Sequence, residues 1–141
     1  MENCLFCRII DGKTPAKIVH QDDRAVVIVD IHPQAPVHLL VIPRRHIPSL
    51  EESQAEDEAL LGHLFLLAAQ QARERGLDSR GYRTVINTGA GAGQSVFHLH
   101  VHLLGGGRFT GRRDNHSSCS FQARIRQCED ESWHPRKCLD A

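Results

Sequence analysis

An α+β domain with a mainly antiparallel sheet is what this sequence predicts, and three observations carry that prediction. Apolar segments fall in the order short helix, three strands, long helix, two strands. Leu60, Leu61, Leu64, Leu67, Ala68 and Ala72 form a helical apolar stripe. Val26-Val-Ile-Val29 is a continuously apolar run, as a strand covered on both faces requires.

Taken in order, Asn3 is placed to cap a short helix from Cys4 to Ile10 that stops near Gly12. Ala16–His20 and Ala25–Val29 read as a hairpin, with Gln21-Asp-Asp-Arg24 as its tight turn. Ile31-His-Pro33-Gln-Ala-Pro36 is a loop, because each proline disfavours helix at the residue before it. Val37–Ile42 is the next strand, and Pro43 ends its ladder. Ser49 with Glu52, or Ser53 with Glu56, offers a capping box for the long helix, which Gly76 closes. His63 lies within that helix and is read as a bystander. Tyr82–Asn87 is a strand, Gly89–Gly93 a flexible loop, and Phe97–Leu104 the last strand.

That last strand carries the chemistry. Side chains alternate across a strand, so His98, His100 and His102 emerge on one face and Leu99, Val101 and Leu103 on the other. Neighbouring imidazoles then stand roughly 6.5–7 Å apart, close enough to serve one small ligand. An ordinary half-exposed strand shows Thr, Lys, Glu or Ser on its polar face instead.

The 141 residues suit one domain with a real core. With 17 basic and 17 acidic residues the formal net charge is zero, so nothing suggests a polyanion-binding surface, and any bound nucleotide is small. There is no secretory signal or membrane span to be read, and five cysteines in an uneven arrangement do not form a secreted disulfide framework. A reducing cytoplasm is the expected setting. No nucleic-acid or membrane partner is expected.

Neutral imidazole is a good nucleophile toward phosphorus and, once phosphorylated, a good leaving group. It needs one ring nitrogen free and the other holding its proton against an acceptor. An amine leaving group also needs a proton donor nearby. A histidine at every second position supplies both. The Gly89–Gly93 loop with Gln94 and Ser95 leads into this strand and fits either a phosphate-binding concavity or a plain flexible turn. Asp30 fits a ribose acceptor or a turn residue before the proline loop. Cys4-x-x-Cys7 is a chelating spacing that His46 and His98 would complete as a tetrahedral Cys₂His₂ zinc site; the other reading is two small buried thiols.

Asp30-Ile-His-Pro33-Gln-Ala-Pro36-Val-His38-Leu-Leu-Val-Ile-Pro43-Arg-Arg-His46 and Gly93-Gln-Ser-Val-Phe-His98-Leu-His100-Val-His102 resemble the histidine triad superfamily, in particular its Hint branch. The resemblance covers Asn3 to about Arg108. It implies a five-stranded sheet with one long and one short helix, and a homodimer whose sheets join into ten strands. The implied activity is hydrolysis of purine nucleoside 5′-phosphoramidates at the P–N bond. By the same resemblance His100 attacks phosphorus to form a nucleotidyl-histidine. His102 and His38 contact the phosphate and deliver a proton. Ser95 and Gln94, beside Gly93, hold phosphate and leaving group, and Asn87 contacts the phosphate and sugar. Asp30 binds the ribose, and Leu5, Phe6, Ile9, Ile28, Ile31 and Leu40 wall the base. No cofactor is implied for catalysis, and members with the Cys pair bind structural zinc. Two other functions share these residues: a dinucleoside polyphosphate hydrolase or nucleotidyl transferase, and a non-catalytic nucleotide-binding scaffold.

The family pattern ends at Trp-Pro-Pro-Gly, whereas this chain reads Gly111-Arg-Arg-Asp-Asn115 and continues to Ala141. Deleting one base from a Trp-Pro-Pro-Gly-stop coding stretch yields Gly-Arg-Arg-Asp. Residues 1–110 are therefore read as the domain and 111–141 as an irregular tail, disordered or frame-shifted, and on the frame-shifted reading Cys119, Cys128 and Cys138 are accidental thiols.

Overall fold

A computed structural model of the chain describes residues 3–107; the expected tail and its cysteines lie outside the described residues. The elements are α1 (Leu5–Ile10), β1 (Ile18–Gln21), β2 (Ala25–Val29), β3 (Val37–Pro43), α2 (Glu58–Glu74), β4 (Tyr82–Val85) and β5 (Val101–Gly105). Short 3₁₀ turns fall at Leu50–Glu52, Ala55–Asp57 and Ala90–Ala92. The strands form one antiparallel sheet in the order β1-β2-β3-β5-β4, which bears out the predicted α+β class.

Alternation along β2 and β3 divides the apolar side chains between two faces. Ala25, Val27, Leu39 and Val41 pack with Leu64, Leu67, Ala68 and Ala72 of α2, so the predicted stripe is the helix's buried face. Leu99, Val101 and Leu103 join them. Val26, Ile28, Leu40 and Ile42 face the other way and pack with Phe6 and Ile9 of α1. The histidines share this second face with Phe6, whose ring meets His98 and His100 edge-on, with centroids 5.9 and 5.0 Å away.

Several boundaries differ from expectation, each for a physical reason. The β5 ladder starts at Val101 rather than Phe97. Val41 pairs with Val101, so continuing the register would set Leu99 opposite Pro43, which has no N–H to give. Leu99 N–H bonds Ile47 O instead, at 2.7 Å, and His98 and His100 precede the ladder: His98 closes a bend over residues 96–98 and His100 follows it. Pro43 itself belongs to β3, as its last residue, paired with Ala25. Strand β4 stops at Val85, short of Asn87.

Helix α2 begins only at Glu58, and neither Ser-x-x-Glu box starts it. Ser49 instead caps the turn Leu50–Glu52, accepting from Glu51 N–H at 3.2 Å and donating to Glu52. Buried Asp57 accepts from Gln54 N–H at 2.8 Å and pairs with Arg45, closing the turn that leads into the helix. Gly76, at φ +70°, ends α2 as expected.

The β1–β2 turn is built on Asp22, whose Oδ1 accepts from Arg24 N–H and Ala25 N–H, both at 2.8 Å. His63 is more than a bystander: its Nε2 meets Asp22 Oδ2 at 2.8 Å and ties α2 to this turn. Burial works against the Asp22 carboxylate, but the Arg24, His63 and Ala25 hydrogen bonds outweigh it and hold Asp22 well below the usual carboxylate range.

Candidate active site and metal centre

The histidine face is ordered chiefly by main-chain atoms. His98 Nε2 lies 2.7 Å from Pro43 O, which can only accept, so that nitrogen carries the proton and Nδ1 presents a lone pair. His100 Nδ1 lies 2.7 Å from His98 O and donates to it, leaving Nε2 as the free lone pair. Gln34 N–H donates to His38 Nδ1 at 3.0 Å, which puts the proton of neutral His38 on Nε2. That nitrogen faces His102 Nδ1 at 2.9 Å and Asp30 Oδ2 at 3.3 Å. Given to His102, this hydrogen bond requires His102 to keep its own proton on Nε2. The His100 and His102 rings stand 4.9 Å apart between centroids. With the His38 proton given to His102, a nucleophilic nitrogen and an N–H donor belong to neighbouring rings.

Burial keeps these rings neutral. It lowers the pKa of His38 and of His100, against the opposing charge of Asp30. His102 is pushed down to about 4 by burial first, then by His100 and His38. A neutral ring at ordinary pH is the form that can attack phosphorus.

A second cluster lies behind Phe6. Cys4 at the N-cap of α1, Cys7 within it, His46 beyond β3, and His98 bring their donor atoms to within 4.8 Å of one another. His98 Nδ1 is 3.4 Å from Cys4 Sγ, 3.5 Å from Cys7 Sγ and 3.1 Å from His46 Nδ1, and Cys7 Sγ is 3.3 Å from His46 Nδ1. Tetrahedral zinc with bonds of about 2.0–2.3 Å spaces its ligand atoms roughly 3.3–3.8 Å apart. The lone pair that Pro43 forces onto His98 Nδ1 points into this set, so donor type and count, and the tautomer of His98, fit zinc. Asp30, His38 and His102 also converge to within 4.8 Å. The Gln34 bond argues against a metal there, because it keeps a proton on the His38 nitrogen that would have to ligate.

Of the other predicted residues, Gln94 is buried with its amide spent on the chain: Oε1 accepts from Gly89 N–H at 2.8 Å, and Nε2 donates to Pro48 O and Val96 O at 2.8 and 3.1 Å. It braces the glycine loop, in which Gly93 takes φ +89°. Asn87 is half-buried just past β4. Ser95 is exposed and lines a cavity of about 430 Å³ with Asn3, Cys4, Leu5, His46, Val96 and Phe97, which takes in two members of the Cys–His cluster. Phe6, Ile9, Ile28 and Leu40 pack against one another, Leu5 is at the surface, and Ile31 is 83% exposed on its loop. Gln34 N–H and Pro43 O escaped sequence reasoning because they are peptide groups, which no side-chain motif reports.

A five-stranded antiparallel sheet with neutral, buried imidazoles gathered at the start of its fifth strand defines a histidine-centred class of small α+β domains. Comparison with known proteins agrees. Residues 3–114 match the family described as scavenger mRNA decapping enzyme C-terminal binding. An uncharacterized HIT-like protein of Synechococcus elongatus is 53% identical over 105 residues, 74% of this chain and 91% of that protein. The HIT family hydrolase of Legionella pneumophila Philadelphia 1 superposes with a TM-score of 0.75 at 44% identity, covering 77% of this chain and 96% of that one. A zinc-bound histidine triad family protein of Mycobacterium smegmatis gives 0.67 at 30% identity, covering 90% of this chain and 98% of that one. The chain belongs to the histidine triad (HIT) family and has its fold. Among the described residues no helix is long and apolar enough to cross a membrane.

Proposed function

We propose that this protein hydrolyses purine nucleoside 5′-monophosphoramidates through a nucleotidyl-histidine intermediate. One observation carries the reading: His98 O holds the His100 Nδ1 proton and leaves Nε2 free beside His102. His100 Nε2 attacks phosphorus as the P–N bond breaks, and His102 Nε2–H gives its proton to the departing amine. His102 then takes a proton from water, the oxygen attacks phosphorus, and the nucleoside monophosphate leaves with His100 restored.

Asp30 binds the ribose, and Leu5, Phe6, Ile9, Ile28, Ile31 and Leu40 form the base side. Ser95, Gly93 and Asn87 hold the phosphate, with Gln94 acting through the loop it braces. Cys4, Cys7, His46 and His98 hold a structural zinc, which supplies a cross-link between α1 and the approach to β5. The relative from Mycobacterium smegmatis, described as zinc-bound, supports that assignment. The protein is a cytoplasmic homodimer on this reading.

The test is turnover of an adenosine 5′-phosphoramidate. Wild type is expected to release the amine, and His100→Ala to lose roughly 10³-fold or more in kcat while still folding and binding AMP. Preference for a diadenosine polyphosphate instead would assign the polyphosphate hydrolase activity, and a folded but inert wild type would leave a nucleotide-binding scaffold.

A further inference from the structure

We propose that Asp30 couples recognition of the substrate's ribose to delivery of the leaving-group proton, acting as a positioning residue for His102 as well as a sugar ligand. This rests on the phosphoramidase reading above. Asp30 Oδ1 accepts from His32 N–H at 2.8 Å, which fixes the carboxylate within the turn. Its side chain is 18% exposed, and Oδ2, which makes no bond within the turn, lies 3.3 Å from His38 Nε2 and is the oxygen assigned to a sugar hydroxyl.

His38 has one proton to give from that nitrogen, since Gln34 N–H occupies Nδ1. It faces two acceptors: the neutral His102 Nδ1 at 2.9 Å and the charged Asp30 Oδ2 at 3.3 Å. A carboxylate is the stronger acceptor at equal distance, so the shorter contact and the greater charge oppose each other. In the free protein the proton is shared, and His102 is not held to a single tautomer. A ribose hydroxyl donating to Oδ2 satisfies the carboxylate and weakens its pull. The His38 proton then turns fully to His102 Nδ1, and His102 is fixed with its own proton on Nε2, the nitrogen that serves the leaving amine. The sugar hydroxyls thereby raise kcat, and their contribution is not confined to binding.

Steady-state kinetics of an adenosine 5′-phosphoramidate and its 2′,3′-dideoxy analogue test this in wild type, Asp30→Ala and Asp30→Asn. Removing the hydroxyls is expected to lower wild-type kcat at saturation by roughly tenfold. In either variant the same change is expected to move kcat by less than about twofold, because the coupled group is gone. Asp30→Asn keeps an acceptor for His32 N–H, so it reports even if Asp30→Ala disturbs the loop. An effect on KM alone in wild type, or an equal kcat loss in the variants, overturns the proposal. Imidazole ¹⁵N spectra give a readout independent of turnover. AMP is expected to move His102 to an unprotonated Nδ1 and protonated Nε2, and 2′,3′-dideoxy-AMP to leave the free-protein average. Identical spectra with both ligands overturn the coupling, whereas absence of any phosphoramidate turnover overturns the activity reading.

Discussion

Burial lowers His102 to about 4, and the neighbouring His100 and His38 rings add to the effect. An unfolded histidine titrates near 6.5, so between roughly pH 6.5 and 4 the unfolded chain binds a proton that the folded site refuses. Stability is therefore full above that window and falls as pH drops through it. His38 and His100, also lowered, act in the same direction. Denaturant melts of wild type are expected to lose stability between pH 7 and pH 5, and those of His102→Gln to lose less. A flat wild-type profile would contradict the buried, neutral arrangement. At this scale the sequence was informative about which rings come together, for His98 and His100 both meet Phe6 and His100 meets His102. It was silent on tautomers, which depend on atoms of Gln34 and Pro43 far away in the chain.

Helix α1 has six residues, too few to be stable alone, and is held by Phe6 and Ile9 against the sheet and by the cluster of Cys4, Cys7, His46 and His98. If that cluster carries zinc, purified protein is expected to hold one equivalent. Its removal by a chelator is expected to raise amide exchange within Leu5–Ile10 by tenfold or more, about 1.4 kcal/mol or greater, with little change in α2. Unchanged exchange after complete removal would deny the metal a role in anchoring α1. Element boundaries were the less legible part of the sequence. Ser49-x-x-Glu52 is a correct local signal for a capped turn, but the helix waits for Asp57, whose placement depends on Arg45 across the fold. Likewise the early end of the histidine ladder follows from Pro43 on the neighbouring strand, a pairing that single-segment patterns do not contain.

Among the described residues, β4 stands at one edge of the sheet, and α2 leaves Phe65 44% and Leu66 72% exposed. Edge strands and exposed large apolar side chains are where partners dock, and the homodimer of the proposed function would draw on them. Sedimentation is expected to show a dimer in the wild type. Leu66→Glu, which alters an exposed side chain and so spares the core, is expected to give a folded monomer. A monomeric wild type at tens of micromolar would remove the dimer from the proposed function.

The atoms that set the histidine tautomers are a peptide N–H at position 34 and peptide carbonyls at positions 43 and 98. Every amino acid carries a carbonyl, and every one but proline carries an amide hydrogen. The walls around the reactive ring can therefore exchange side chains over evolutionary time without retuning it, provided the chain path is kept. Chemistry anchored in this way is inherited with the backbone trace, and neighbouring side chains are released to follow whatever substrate each descendant meets.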